Sequence, residues 1–182
     1  MPAVTARQAA VSALVKVNTQ GAYSNLVLNE TLKKSGLSPA DSSFASRLFY
    51  GTLERRLTLD HVINHYSKKP VSKLTPAVAE ILRTAVYQLL YLDSVPDSAA
   101  VNEAVGLTKK MKAASASGFV NAVLRNFLRD EKKIPQIKGN RLRKLEVRYS
   151  CPQWLIKTLL EQYDEPSTLA MLEHSLDRPP LY

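Results

Sequence analysis

The sequence predicts an all-α protein. Three observations carry this: apolar residues recur at helical spacing in segment after segment, helix start and stop signals bracket those segments, and no stretch alternates convincingly with the period of two that a half-buried strand needs. The clearest case is the run from Thr75 to Arg129, where three helical patterns follow one another with only short breaks.

Taken in order, Thr5 is placed to cap a first helix, in which Ala6, Ala10, Ala13, Leu14 and Val17 share a face until Gly21 interrupts it. Ser24 precedes a second helix with Leu26, Leu28 and Leu32, stopped near Gly36. Ser38, Pro39 and Asp41 open a third with Phe44, Leu48 and Leu53, and a further segment carries Leu59, Val62, Ile63 and Tyr66. Thr75 and Pro76 start the next helix, whose buried stripe is Val78, Ile81, Leu82, Ala85 and Leu89. Pro96 begins a helix that buries Val101, Ala104, Val105 and Met111; Phe119, Val120, Val123, Leu124, Phe127 and Leu128 mark the one after it.

A boundary falls near residues 130 to 150, where charge rises, Gly139 appears and the apolar period weakens. Beyond it Pro152 and Trp154 open an amphipathic helix with Leu155, Leu159 and Leu160, and Pro166 and Ser167 introduce another with Leu169, Leu172 and Leu176. The final Pro179, Pro180, Leu181 and Tyr182 have the extended character of a cut between domains.

A chain of 182 residues can bury about 70% of the surface its unfolded form exposes, enough for one real core with an appendage. Hydrophobic residues at 45% and charged residues at 23% exclude disordered and fibrous classes. No apolar stretch is long enough to span a bilayer, because Arg83 and Gln88 interrupt the longest, and MPAVTARQAA has no signal-peptide core, so a cytoplasmic address and no membrane partner are expected. The single cysteine, Cys151, fits a reducing compartment.

The net charge of +9 points to a polyanionic partner, nucleic acid or an acidic protein surface. Most of it sits in one stretch: Lys132 to Arg148 holds seven basic residues against Glu146 alone, a net +6. That stretch reads either as an exposed connector or as a segment that tracks a phosphate backbone.

Catalytic patterns are weak. His61 and His65 share one helical face, but no glutamate lies between them and His174 is the only other histidine, so a structural pair is favoured over a metal site. Cys151 would need a cationic neighbour to act as a nucleophile. The six glycines are too widely spaced for a phosphate-cradling loop, and no cofactor is expected in this chain.

Groups suited to nucleic acid are more numerous. Arg7 lies in a first turn, Arg55 and Arg56 at a helix end, and Arg125 and Arg129 four apart on one face. Arginine offers a planar fork to phosphate and can stack on an unpaired base, with Phe119 or Tyr23 as further stacking surfaces; each arginine could equally be a cap or half of a surface ion pair. Asn121, in mid-helix, either bonds within the fold or faces a ligand. The expected RNA face is Arg7, Arg125 and Arg129, extended by Lys132, Lys133, Arg141 and Arg143.

Several phrases together resemble a known family: ARQAAVSALVKV at 6–17, AYSNLVLN at 22–29, FASRLFYGTLERRLTLDHVI at 44–63, ILRTAVYQLLYLDSVPDSAAVNEAV at 81–105, GFVNAVLRNFLR at 118–129 and YSCPQWL at 149–155. Their order and spacing resemble the NusB-like N-terminal region of the RsmB (Sun/Fmu) 16S rRNA cytosine-C5 methyltransferases. The resemblance implies a NusB-like bundle of about seven helices in two three-helix subdomains over residues 1–133, then a short helical linker region over 134–182 leading to a methyltransferase domain. It implies small-subunit rRNA as partner, the parent's own methyltransferase domain as another, and a ribosomal protein as a third. It further implies S-adenosylmethionine as the cofactor of that catalytic domain, where a cysteine attacks C6 of cytosine and a second cysteine assists release. Cys151 matches neither, so no catalytic residue is carried over. A freestanding NusB-type antitermination factor and a protein-docking helical scaffold are the alternatives.

Overall fold

A computed structural model describes residues 4–21 and 23–176, and every regular element among them is helical. The α-helices are α1 (Ala6–Gln20), α2 (Ser24–Ser35), α3 (Pro39–Glu54), α4 (Arg56–Tyr66), α5 (Pro76–Tyr91), α6 (Asp97–Lys110), α7 (Ser117–Arg129), α8 (Arg141–Tyr149), α9 (Gln153–Gln162) and α10 (Glu165–His174), with short 3-10 turns at Val71–Lys73 and Ala114–Ala116. The four terminal residues read as a domain cut lie outside the described residues.

Helix ends form where the sequence punctuates them. Thr5 Oγ1 accepts from the Gln8 amide at 3.2 Å and Ser38 Oγ from the Asp41 amide at 3.1 Å, each satisfying a donor the first turn leaves open. Gly21 and Gly36 end α1 and α2 with φ of 61° and 64°, the left-handed conformation glycine adopts without steric cost. Thr75 and Pro76 do start α5, although the Thr75 side chain makes no capping bond.

The first seven helices are the expected bundle. α1 packs on α2, α3 and α5; α5 packs on α6 and α7; and α4 lies against α5 and α7, joining two three-helix groups, α1–α3 and α5–α7. α5 is their shared axis, buried without a break from Val78 to Leu89. Its close approach to α3 depends on Gly51, where any Cβ would overlap the Tyr87 ring.

That burial includes charge. Arg83 forms ion pairs with Asp60 of α4 and with Glu80, and Glu80 also accepts from Asn18 of α1 at 2.8 Å. Burial pushes the Glu80 carboxyl above the ordinary carboxylate range against the pull of Arg83. Arg83 also loses solvation, but its two carboxylates outweigh that and hold its proton more tightly than usual. Such a network adds little net stability yet fixes how three helices meet, because any register slip strands a buried ion.

The sequence does not announce α8. The stretch read as an exposed connector follows α4 back along the bundle: Tyr66 donates to Asp130 at 3.0 Å, and His61 bonds the Pro135 carbonyl at 2.9 Å. It then forms α8, which docks on α4 through Thr58 Oγ1 donating to the Val147 carbonyl and the Leu57 amide donating to Ser150 Oγ. α8, α9 and α10 build a small second core of Tyr149, Cys151, Ile156 and Leu172. Among the described residues ten α-helices therefore stand where about seven plus a short helical region were expected, and of the three after the bundle only α8 has no counterpart in the sequence reading.

Candidate nucleic-acid interface

The last turn of α5 gathers aromatic and basic groups from four helices. Arg7, carried by the first turn of α1, donates from Nε to Gln88 Oε1 at 2.7 Å and lies over the Phe44 ring of α3 with 5.1 Å to its centroid. One turn on, Arg55 covers the Tyr91 ring at 4.8 Å, and Tyr87 packs tilted beside Tyr91. Burial pushes the Tyr91 hydroxyl above its ordinary value, with the neighbouring Arg55 opposing. Tyr91 also borders a cleft of about 420 Å³ between the bundle and α8, whose other walls include Ile134, Leu145, Lys144 and Arg148. Among the described residues no carboxylate lines that cleft.

The seven expected RNA-binding residues do not form one uniform face. Arg125 and Arg129 are exposed on the outer side of α7, where Arg125 donates to Asn121 at 3.0 Å and Arg129 makes no ion pair among the described residues. Arg7 is half-buried at the α5 end, and no hydrogen bond or ion pair among the described residues joins it to α7. The remaining four are paired: Lys132 with Asp97 at 3.1 Å, Lys133 with Glu131 at 2.7 Å, Arg141 with Glu165, and Arg143 with Glu146 at 2.5 Å. The first three of these pairs are exposed and of a kind that contributes about 0–1 kcal/mol, so Lys132, Lys133 and Arg141 can exchange a carboxylate for a phosphate at small cost, whereas Glu146 is only 15% exposed and also accepts from Gln153.

Other singled-out residues have plain structural partners. His61 binds the connector and His65 rests edge-on against Tyr66. Asn121 bonds within its own helix, Phe119 is half-buried against the core, and Tyr23 stands in solvent. Burial, with Glu146 nearby, raises the Cys151 thiol above its ordinary value, opposite to what a nucleophile needs. Arg55 was visible beside Arg56 in the sequence, but the pairing with Tyr91 across 36 residues was not, and Lys144 and Arg148 stand out only once α8 is seen to be a helix docked beside that ring.

Fold and surface thus define an all-helical module with a basic, aromatic-bearing end. The chain belongs to the NusB family, whose profile matches residues 4–129. It is 34% identical over 163 residues to a probable ribosomal RNA small subunit methyltransferase B of Bacillus subtilis (strain 168), covering 90% of this chain and 36% of that protein. Among solved structures, PH0851 superposes with a TM-score of 0.72 at 19% identity over 94% of this chain and 39% of that one. A chain from a complex of the antitermination factors NusB and NusE with dsRNA superposes with a TM-score of 0.64 at 21% identity, over 69% of this chain and 94% of that one. Both structural likenesses show the fold. No described helix is long and apolar enough to cross a membrane.

Proposed function

We propose that this chain is the RNA-positioning module of a small-subunit rRNA (cytosine-C5) methyltransferase, acting in the cytoplasm. The observation that carries the reading is the extent of the Bacillus subtilis match: 163 residues are more than the family profile's 4–129 can hold, so the likeness to a methyltransferase runs past the bundle into the α8–α10 region. A freestanding antitermination factor has no need of that region, which is why this reading is preferred. The chain spans 36% of that relative's length, and the chemistry belongs to what lies outside the match. There S-adenosylmethionine would supply the methyl group; this chain contributes grip and orientation.

In this reading residues 1–133 form the RNA-binding domain and 134–182 lead to the catalytic domain. Trp154, Tyr163 and Met171, all well exposed on or beside α9 and α10, supply apolar surface for that domain to pack on. Arg7, Arg125 and Arg129 engage phosphates with Lys144 and Arg148, while Lys132, Lys133, Arg141 and Arg143 contribute after releasing their carboxylates. The complex of NusB and NusE with dsRNA supports an RNA-binding use of the fold and a protein partner beside the RNA, a ribosomal protein in the present case.

The test is affinity of the 182-residue chain for a small-subunit rRNA fragment and for an unrelated RNA across a salt series. Replacing one phosphate-binding arginine or lysine with alanine should lower the slope of log affinity on log salt by about 0.9 on duplex or about 0.7 on single strand. Slopes that stay unchanged for Arg7, Arg125, Arg129, Lys144 and Arg148 alike would remove this face, and equal affinity for both RNAs would remove the targeting role.

A further inference from the structure

At the end of the bundle opposite the basic, aromatic turn lies a larger groove of about 780 Å³, where the C-terminal half of α1, the start of α5 and the turn between α6 and α7 converge. α5 alone separates the two ends by about 24 Å. The groove floor is apolar: Leu74, Val78, Met111 and Phe119 line it, and only a few hydroxyls interrupt them. Its rim carries four exposed lysines, Lys68, Lys69, Lys73 and Lys112, and among the described residues no aspartate or glutamate lines it. None of the four has a carboxylate within ion-pair distance among the described residues, whereas Lys132 and Lys133, just beyond α7, both do.

Lys112 is placed there against its backbone preference. It has φ of 57°, and the Ala113 amide donates to the Thr108 carbonyl at 2.7 Å, so Lys112 occupies the left-handed position after α6 that glycine usually fills. A non-glycine residue in that conformation costs about 1 kcal/mol, and such a cost is tolerated where the side chain has a use.

We infer that this groove is a docking site for an acidic amphipathic protein segment, whose apolar side chains enter between Met111 and Phe119 while its carboxylates meet the lysine rim. Charge complementarity selects an anionic partner. The floor then decides between protein and nucleic acid. Unpaired bases are held chiefly by stacking on aromatic faces, and Phe119, half-buried, is the one aromatic among the described lining residues, so bases laid on the rest would forgo stacking and trade hydrated edges for aliphatic contact. Leucine or phenylalanine side chains carry no such cost, and methionine adapts its shape to them. The groove shares no lining residue with the proposed RNA face, so the module can hold RNA and a protein together.

The probe is a synthetic 15-residue helical peptide with leucines at i, i+3, i+4 and i+7 and glutamates flanking them, compared with its lysine-for-glutamate and serine-for-leucine versions and with oligouridine. Binding to the 182-residue chain is read by amide chemical shifts. The acidic peptide should shift Leu74, Met111 and Phe119, and bind about tenfold tighter than either control peptide, a difference of about 1.4 kcal/mol. Lys112→Gly keeps the turn and relieves its strain, so it cannot act by unfolding the chain; with Lys73→Glu it should abolish that preference. Equal binding of the lysine version, shifts confined to the Arg7 and Tyr91 end, or oligouridine occupying the groove in place of the peptide would each overturn the assignment. The proposed rRNA face is tested by the slope changes of Arg7, Arg125, Arg129, Lys144 and Arg148 variants, none of which lines the groove, so the two readings fail separately.

Discussion

Single residues fix how closely the two halves of the bundle approach, and Gly51 is the sharpest instance. It is fully helical, so its role is space rather than backbone freedom: the Tyr87 ring occupies the position of its missing Cβ. The ring is buried and flanked by Tyr91, which leaves it little room to move aside. Gly51→Ala should therefore destabilise by about 1–3 kcal/mol despite alanine's better helix propensity, lowering Tm by roughly 2–4 °C for each kcal/mol. Adding Tyr87→Leu should recover part of the loss, a coupling that a double-mutant thermal-melt cycle would measure directly. Two independent, additive losses would show that this pair does not limit the approach. Arg7 teaches a related lesson at the same end. Its position in a first turn was legible, but its placement over Phe44 and against Gln88 depends on residues 37 and 81 positions away, which no local spacing encodes.

At the scale of elements, the period of the apolar residues revealed α1 to α7, α9 and α10, because each has a stripe dense enough to show through its polar face. α8 escaped because Arg141, Arg143, Lys144 and Arg148 crowd a nine-residue helix, although Leu142, Leu145 and Tyr149 keep helical spacing beneath the charge. Arg143 and Gln153 both donate to Glu146, which links α8 to α9. Burial raises the Glu146 carboxyl, but those two partners outweigh it and bring it below its ordinary value of 4.5. A depressed carboxylate stabilises the fold fully above that ordinary value, and the contribution is lost as pH falls through the lower, folded one. Protection factors at Val147 and Ile156, taken relative to the intrinsic exchange rate at each pH, should accordingly fall on acidification below about pH 4.5 while that of Leu82 in α5 holds. Glu146→Gln should flatten that dependence; an unchanged acid response would assign it to another carboxylate.

Over the whole molecule, two cores of unequal size share one seam. The bundle core draws on all of α1 to α7, whereas only Tyr149, Cys151, Ile156 and Leu172 are buried in the second. The bonds across the seam are few: Thr58 to Val147, Leu57 to Ser150 and His61 to Pro135. Asp130 and the α7 end remain with the bundle if the chain is divided after residue 133, so a fragment of residues 1–133 keeps its entire core and forfeits only what α8 and residues 134–140 pack against it. It should fold cooperatively with native-like helicity and a Tm lowered by a few degrees. A fragment of residues 134–182, fewer than about 50 residues with so small a core, falls below the size at which a chain without disulfide or metal sustains itself, and should show little helix alone. Mixing the two should restore helicity to the second if the α4 surface is what organises it, and circular dichroism of the mixture against the sum of its parts reads this out. Cooperative folding of the short fragment by itself would instead make α8 to α10 a separate domain, and the boundary would then mark two folding units rather than a bundle and its dependent extension.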